Sequence, residues 1–143
     1  MITNTVSLEL AKELWELGLK IETEKWWNAH DRIDLVTNTA YSDNYLVEDK
    51  RRWDIGDNSH SYSSYPAPQT DELLAVLPKH LDGGVMHIYP TINGYGVRYK
   101  EGFGEGLYYQ QGDNLSEALG LMCKYLLTND YEFNGKEIVR KGN

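Results

Sequence analysis

The stretch Tyr65-Pro-Ala-Pro-Gln-Thr-Asp-Glu-Leu-Leu-Ala-Val-Leu-Pro78 separates two parts of the chain that are rich in β-strand signals. Pro66 and Pro68 restrict their own φ angles and favour extended conformations for the residues before them. Thr70 is a residue type that caps helices, and Pro78 prevents a helix from continuing. The stretch therefore predicts a short helix in the middle of the chain. Its predicted packing residues are Leu73, Leu74, Val76 and Leu77.

Two further segments carry apolar residues at helical spacing. In residues 8–17, Leu and Ala form one stripe and the charged side chains form the opposite face, with Ser7 as a suitable N-cap. The second segment follows Asn114, which has Glu117 three residues later in the pattern of a capping box. Its apolar stripe continues to Thr128. The sequence therefore predicts three helices.

The region between the first two helices changes to the two-residue period of β-strands. Alternation at 21–27, 33–36 and 52–55 predicts three strands. Residues 28–31 are typical of a turn, and residues 37–49 are polar with little periodicity. We therefore expect a small antiparallel sheet in this region, with its register left open.

A second group of strand signals follows the central helix. Asn93-Gly94 is the favoured pair of a two-residue type I′ turn, and it predicts a hairpin over 85–99. Pairing outward from this turn sets Pro90 opposite Val97. The core face of the predicted hairpin carries Met86, Ile88, Tyr95, Val97 and Tyr99. Residues 107–110 predict one further short strand.

The order of these elements predicts an α+β fold in which about three helices pack on a small, mostly antiparallel sheet. The length of 143 residues fits one domain, so residues 1–143 are predicted to form a single domain. The C-terminal segment ends in polar and charged residues. Residues 132–143 are therefore predicted to form a frayed tail.

The composition argues against several classes of protein. A formal net charge of −8 disfavours binding to nucleic acid, whose phosphates need clustered Lys and Arg, and to anionic membrane surfaces. No apolar run approaches the ~20 residues of a membrane span, and no secretory signal is visible. Cys123 is the single cysteine, so no intramolecular disulfide can form. We expect a cytoplasmic protein that needs no cofactor and binds neither nucleic acid nor membrane.

Three segments carry a resemblance to a known family. They are Ser7-Leu-Glu-Leu-Ala-Lys-Glu-Leu-Trp-Glu-Leu-Gly18, the Tyr65–Pro78 stretch, and Leu115-Ser-Glu-Ala-Leu-Gly-Leu-Met-Cys-Lys-Tyr-Leu-Leu127. They resemble a family of small proteins of unknown function from phage, prophage and gut-bacterial genomes. That family has an opening SLELAKxLKELG helix, aromatic strands, a YPAPTxDELLxxLP segment and a closing ALAxMxxYLL helix. The resemblance implies a phage or mobile-element context in a bacterial host cell, and it carries no functional residue over to this chain.

His87, Tyr89 and Arg98 share the face of the predicted hairpin that lies opposite the core, and they are the candidate ligand-binding residues. An arginine there can bind a carboxylate or a phosphate group, and a histidine beside it can titrate near neutral pH. The alternative interpretation is an ordinary solvated sheet face.

The other reactive side chains favour structural roles. Asp54, Asp57 and His60 are too loosely spaced for a metal motif, and a turn explains them better. Cys123 lies on the apolar stripe of the last predicted helix, where a free cysteine behaves as a small hydrophobic residue. We therefore predict no catalytic residue and no metal site.

The chain has four Trp and eleven Tyr, more aromatic residues than three short helices need. Because Tyr and Trp are favoured interface anchors, Trp26, Trp27, Tyr108 and Tyr109 are the candidate interface residues. The sequence therefore predicts a non-enzymatic protein that acts through protein–protein contact or self-association. One alternative is a small-ligand-binding or enzymatic domain that uses the hairpin face. A mimic of nucleic-acid charge is a third hypothesis, suggested by the net charge.

Overall fold

The structure is a computed structural model that describes residues 5–34, 36–47, 60–100 and 107–142. These residues form three helices, α1 (Leu8–Glu16), α2 (Thr70–Val76) and α3 (Leu115–Leu127). They also form nine strands: β1 (Trp26–Asp34), β2 (Thr39–Val47), β3 (His60–Pro66), β4 (His80–Leu81), β5 (Gly84–Thr91), β6 (Gly94–Lys100), β7 (Leu107–Gly112), β8 (Tyr131–Phe133) and β9 (Ile138–Arg140). The predicted α+β class is confirmed. The described strands pair antiparallel, in three sheets rather than one.

Helix α3 lies at the centre of the hydrophobic core. Its predicted N-cap is confirmed, because the Asn114 side chain accepts a hydrogen bond from the Glu117 backbone N–H at 2.9 Å. Leu119, Met122 and Leu126 are fully buried. The other two helices and strands β6 and β7 all contact α3. The helix therefore joins the helical layer to the second sheet.

The Glu117 carboxylate links the beginnings of two helices. It accepts hydrogen bonds from the backbone N–H of Ser7 at 2.8 Å and from the Ser7 hydroxyl at 3.1 Å. Ser7 is the N-cap of α1, and its Oγ accepts a hydrogen bond from the Leu10 backbone N–H at 3.3 Å. One negative charge therefore lies near the positive N-terminal ends of both α1 and α3, where it is stabilising.

The N-cap of helix α2 lies one residue before the predicted cap, Thr70. Gln69 is the N-cap, and its backbone N–H donates to the Glu72 carboxylate at 2.8 Å. Leu73, like Val76 and Leu77, is buried, whereas Leu74 is 38% exposed. The packing predicted for Leu74 was wrong. Only one side of this short helix faces the core, and the Leu74 side chain, which follows Leu73 around the helix, points away from that side.

The first sheet has the order β2–β1–β3. Strand β1 begins only at Trp26 and continues through 28–31, where a turn was predicted, and β2 covers most of the polar stretch 37–49. These predictions were wrong because β1 pairs with a strand on each side, so that sheet pairing overrides local turn preferences. The strand predicted at 52–55 lies outside the described residues.

The second sheet has the order β4–β5–β6–β7 and contains the predicted hairpin. The two turn residues are Ile92 and Asn93, with Thr91 paired to Gly94. Neither turn residue has a positive φ, whereas a type I′ turn requires a positive φ at both. The turn type and position predicted from Asn93-Gly94 were therefore wrong.

The register of this hairpin is shifted by two residues from the predicted one, and Pro90 pairs with Tyr95. A shift of two residues keeps each side chain on its predicted face, because side chains alternate with a period of two. Val97 and Tyr99 are fully buried against the helices, as predicted. Ile88 and Tyr95 remain 40% and 41% exposed, so the helices cover this face only in part.

The third sheet is a hairpin formed by β8 and β9 near the C-terminus. Its turn is closed by Asn134, whose side-chain oxygen accepts hydrogen bonds from the backbone N–H groups of Lys136 and Glu137 at 2.9 and 2.8 Å. Ile138 is 2% exposed and belongs to the core. The frayed tail predicted for 132–143 is therefore replaced by a packed hairpin, which the isolated Ile138 did not indicate.

Candidate functional site

The predicted ligand-binding residues lie on the face of the second sheet that points away from α3. Val97 and Tyr99 point towards the helices, and alternation along β6 places Arg98 on the opposite side. His87 lies directly opposite Arg98 in the register of β5 and β6. We call this side the outer face. Its described residues include Val85, His87, Tyr89, Thr91, Gly96, Arg98, Lys100, Tyr109 and Gln111.

The ring of Tyr89 lies across Gly96 of the neighbouring strand. A Cβ atom at position 96 would be 2.6 Å from Tyr89 Cζ, so the glycine makes room for the ring. The Arg98 guanidinium carbon is 4.8 Å from the centroid of this ring, within the range of cation–π attraction. The Tyr109 ring stacks beside Tyr89, with centroids 6.1 Å apart and 26° between the planes. We call these three side chains the Tyr109–Tyr89–Arg98 cluster.

Strand β7 places Tyr109 on the outer face, because Gln111 pairs with Gly96 of that face and side chains alternate along the strand. The register between β6 and β7 shifts between Val97 and Tyr99, because β7 contains one extra residue there. Tyr108 lies in the bulge with a φ of 58°, an uncommon left-handed conformation for a residue with a side chain. Tyr108 packs against Tyr125 of α3 at 5.1 Å between ring centroids. The two neighbouring tyrosines therefore lie on opposite faces of the sheet, as successive side chains of a strand do.

Hydrogen bonds between side chains hold the cluster in place. The Tyr109 hydroxyl donates to Gln111 Oε1 at 2.6 Å, and Gln111 Nε2 donates to Thr91 Oγ1 at 3.1 Å. This chain of contacts spans the sheet from β7 to β5. These hydrogen bonds fix the Tyr109 side chain relative to β5.

The described residues of the outer face are basic, although the chain as a whole is acidic. They include Arg98 and Lys100 and contain no Asp or Glu, against a net charge of −8 for the chain. The Nε atom of Arg98 is buried and has no hydrogen-bond partner. A buried donor without an acceptor costs free energy.

Tyr89 is an uncharged member of the cluster. Partial burial raises the pKa of the Tyr89 phenol, and the charge of Arg98 opposes this rise. The hydroxyl is therefore protonated at neutral pH, where it can donate and accept hydrogen bonds. It is not suited to act as a base or nucleophile.

The four candidate interface residues do not form one surface. Trp27 donates from Nε1 to the Val6 carbonyl at 2.8 Å and packs against the core. Trp26 precedes it in β1, and successive side chains of a strand point to opposite faces. Tyr108 faces α3, and only Tyr109 joins the predicted ligand-binding residues. Sequence reasoning missed the contact between Tyr109 and Tyr89, because it did not establish how β7 pairs with β6.

A second polar cluster joins the C-terminal hairpin to the second sheet. Arg140 donates to the Asp82 carboxylate at 2.8 Å and to the Tyr131 hydroxyl at 3.0 Å. The Tyr108 hydroxyl donates to the other Asp82 oxygen at 2.6 Å, and this hydrogen bond raises the pKa of Tyr108 to about 12. Sequence reasoning missed this cluster, because no pattern relates residues so far apart in the chain.

A groove of about 870 Å³ lies beside this polar cluster, between α2, β4 and the β8–β9 hairpin. Asp82, Tyr131 and Arg140 line it, and all three are already hydrogen-bonded to one another or to Tyr108. These contacts fasten the C-terminal hairpin to the sheet. The polar side chains that line the groove are therefore explained by their structural role.

The remaining reactive groups of the described chain are inert. Cys123 is fully buried, and burial raises the pKa of its thiol, so that no thiolate is available at neutral pH. Within the described residues, no group of three or more His, Cys, Asp or Glu side chains is placed to hold a metal ion. The set Asp54, Asp57 and His60 lies outside the described side chains.

None of the helices in the described ranges combines the length and the apolarity that a membrane-spanning helix requires. Comparisons with protein-family models, with curated proteins and with solved structures found no match for the chain.

Proposed function

We propose that this protein is a non-enzymatic binding protein that contacts another protein through the outer face of its second sheet. The observation that carries the proposal is the ordered Tyr109–Tyr89–Arg98 cluster on this face. Tyrosine and arginine are enriched among the residues that dominate the energy of protein interfaces. An ordered, partly exposed group of these residue types is typical of such an interface.

The shape of the outer face supports a macromolecular partner. Small molecules bind in concave sites that bury most of the ligand surface. The grooves found among the described residues, such as the groove beside Asp82, are lined by residues that do not belong to the outer face. Tyr109 is 49% exposed on the surface of a sheet, and another protein can cover a surface of this kind. The resemblance of the three sequence segments adds a phage or prophage context to this proposal.

Photo-crosslinking inside the bacterial host cell tests the proposal. A photoreactive amino acid replaces Val85, which is 46% exposed on the outer face and lies outside the cluster. We expect a discrete adduct with one protein, identified by mass spectrometry, that disappears when Tyr109→Ala or Arg98→Ala is added. The matched control carries the photoreactive residue at Lys136, an exposed position in the turn of the C-terminal hairpin. The same adducts from both positions, or none from Val85, would overturn the proposal.

A small-ligand site at His87, Tyr89 and Arg98 is the second candidate function, because these three side chains share the outer face and an arginine can bind a carboxylate or a phosphate group. In that case free dicarboxylates or phosphate would raise the melting temperature of the wild-type protein. The rise would be lost in Arg98→Ala. A melting temperature that no such compound changes in either protein would exclude this alternative.

A further inference from the structure

We infer that the partner presents an acidic protein segment, one of whose carboxylates pairs with Arg98 while the segment covers Tyr89 and Tyr109. This inference rests on the proposed function of the outer face and specifies the chemistry of its partner. Two separate observations carry it: the charges of the described residues of the face and the position of the Arg98 guanidinium over the Tyr89 ring.

The charge of the outer face differs in sign from the charge of the chain. Arg98 and Lys100 lie two residues apart on β6, so both side chains project from the same face. The described residues of the outer face contribute no carboxylate to neutralise them, although the chain has 22 Asp and Glu. At physiological salt the Debye length is about 8 Å, so a partner in contact with the face interacts mainly with these local charges. The net charge of −8 alone would have suggested a basic partner.

Arg98 can pair with a carboxylate. It is partly exposed, and its guanidinium carbon lies 4.8 Å from the centroid of the Tyr89 ring. A guanidinium offers donors in a fixed fork that matches the two oxygens of a carboxylate. The contact with the ring restricts the side chain before binding, which lowers the entropy cost of pairing. A bound carboxylate would extend the cluster.

The stacked tyrosines indicate which chemical groups of the partner lie beside that carboxylate. Tyr89 and Tyr109 offer ring surface together with hydroxyl groups, which suits a peptide backbone and its side chains. Aromatic residues can also stack on nucleic-acid bases, so a single-stranded nucleic acid is the main competing partner. The described residues of the face include two cations, Arg98 and Lys100, on a chain of strongly negative net charge, whereas phosphate backbones need a groove of many cations. The charge distribution therefore favours carboxylates.

NMR titration of the isotope-labelled full chain tests the inference. One probe is a synthetic peptide of alternating glutamate and threonine, the second is the matched peptide with glutamine in place of glutamate, and the third is single-stranded oligothymidine. We expect the glutamate peptide alone to shift the amide signals of Tyr89, Arg98 and Tyr109. Its affinity should fall about tenfold or more in Arg98→Ala, the loss expected for a charge-assisted pair. It should change little in the control Lys136→Ala.

Several results would overturn the inference. They are equal shifts with the glutamine peptide, stronger shifts with oligothymidine, shifts elsewhere on the surface, or no shifts at all. The comparison of the two peptides needs no variant, so it remains decisive if Arg98→Ala does not fold. If the crosslink from Val85 still depends on Tyr109 while the glutamate peptide has no effect, the proposed function stands and only the acidic partner is wrong.

Discussion

At the scale of single residues, Gly96 makes room for the Tyr89 ring on the outer face. The substitution Gly96→Ala would place a Cβ atom 2.6–2.8 Å from three atoms of the Tyr89 side chain, so the ring would have to move out into solvent. The contact with Tyr109 would be lost, at a cost of about 0.5–1.5 kcal/mol for an aromatic pair. We expect this modest loss in a denaturant melt, together with loss of nuclear Overhauser contacts between the two rings.

Gly120→Ala is the matched control for Gly96→Ala. A Cβ atom at position 120 would be 2.7 Å from Val6 and 2.8 Å from Leu10, inside the core between α1 and α3. Neither side chain can move into solvent, so overpacking should cost about 1–3 kcal/mol. If Gly96→Ala destabilises the protein more than Gly120→Ala, the Tyr89 ring is part of the core, which contradicts our description of the outer face.

Tyr108 gives a prediction for the dependence of stability on pH. Its hydrogen bond to Asp82 raises the pKa of Tyr108 from 10.0 to about 12, so the folded state holds the proton more tightly than the unfolded chain. This contribution to stability is fully present below pH 10 and is lost as the pH rises through about 12. In ring-carbon NMR titrations, Tyr108 should titrate at a lower pH in Asp82→Ala than in the wild type. Identical titration curves in both proteins would contradict the contact.

At the scale of secondary-structure elements, α2 shows which contacts matter for stability. Leu73 is fully buried, whereas its neighbour Leu74 is 38% exposed. Leu73→Ala should therefore lower the free energy of unfolding by about 2–5 kcal/mol, the cost of removing a core leucine. Leu74→Ala should cost less than about 1 kcal/mol, since surface substitutions have small effects. Equal losses in urea melts would show that the helix is rotated from the orientation described.

The helices could be predicted from sequence because their signals are local. The caps Ser7 and Asn114 and the apolar stripes of α1 and α3 all lie within a few residues of the backbone they organise. Strand β1 could not be predicted in the same way, because residues 28–31 pair with partners far along the chain. The second sheet was an intermediate case. Its hairpin register was wrong by two residues, and the period of two kept the faces correct.

At the scale of the whole molecule, the sequence predicted part of the proposed binding surface. Alternation along β5 and β6 was enough to place His87, Tyr89 and Arg98 on one face. It could not add Tyr109, because the register of β7 against β6 is not determined by a local pattern. The sequence could not show either that the described residues of this face are basic. The net charge is a sum over the whole chain, and only the fold determines which charged side chains share a surface.

The central claim is that the outer face binds the partner through the Tyr109–Tyr89–Arg98 cluster. Its most direct test is calorimetric titration of the purified partner, identified by crosslinking, into the wild type, Arg98→Ala, Tyr109→Ala and the control Lys136→Ala. We predict that each cluster variant weakens binding by about 2 kcal/mol or more, the loss typical of a dominant interface residue, while the control retains wild-type affinity. Cluster variants that bind as tightly as the wild type would contradict the claim.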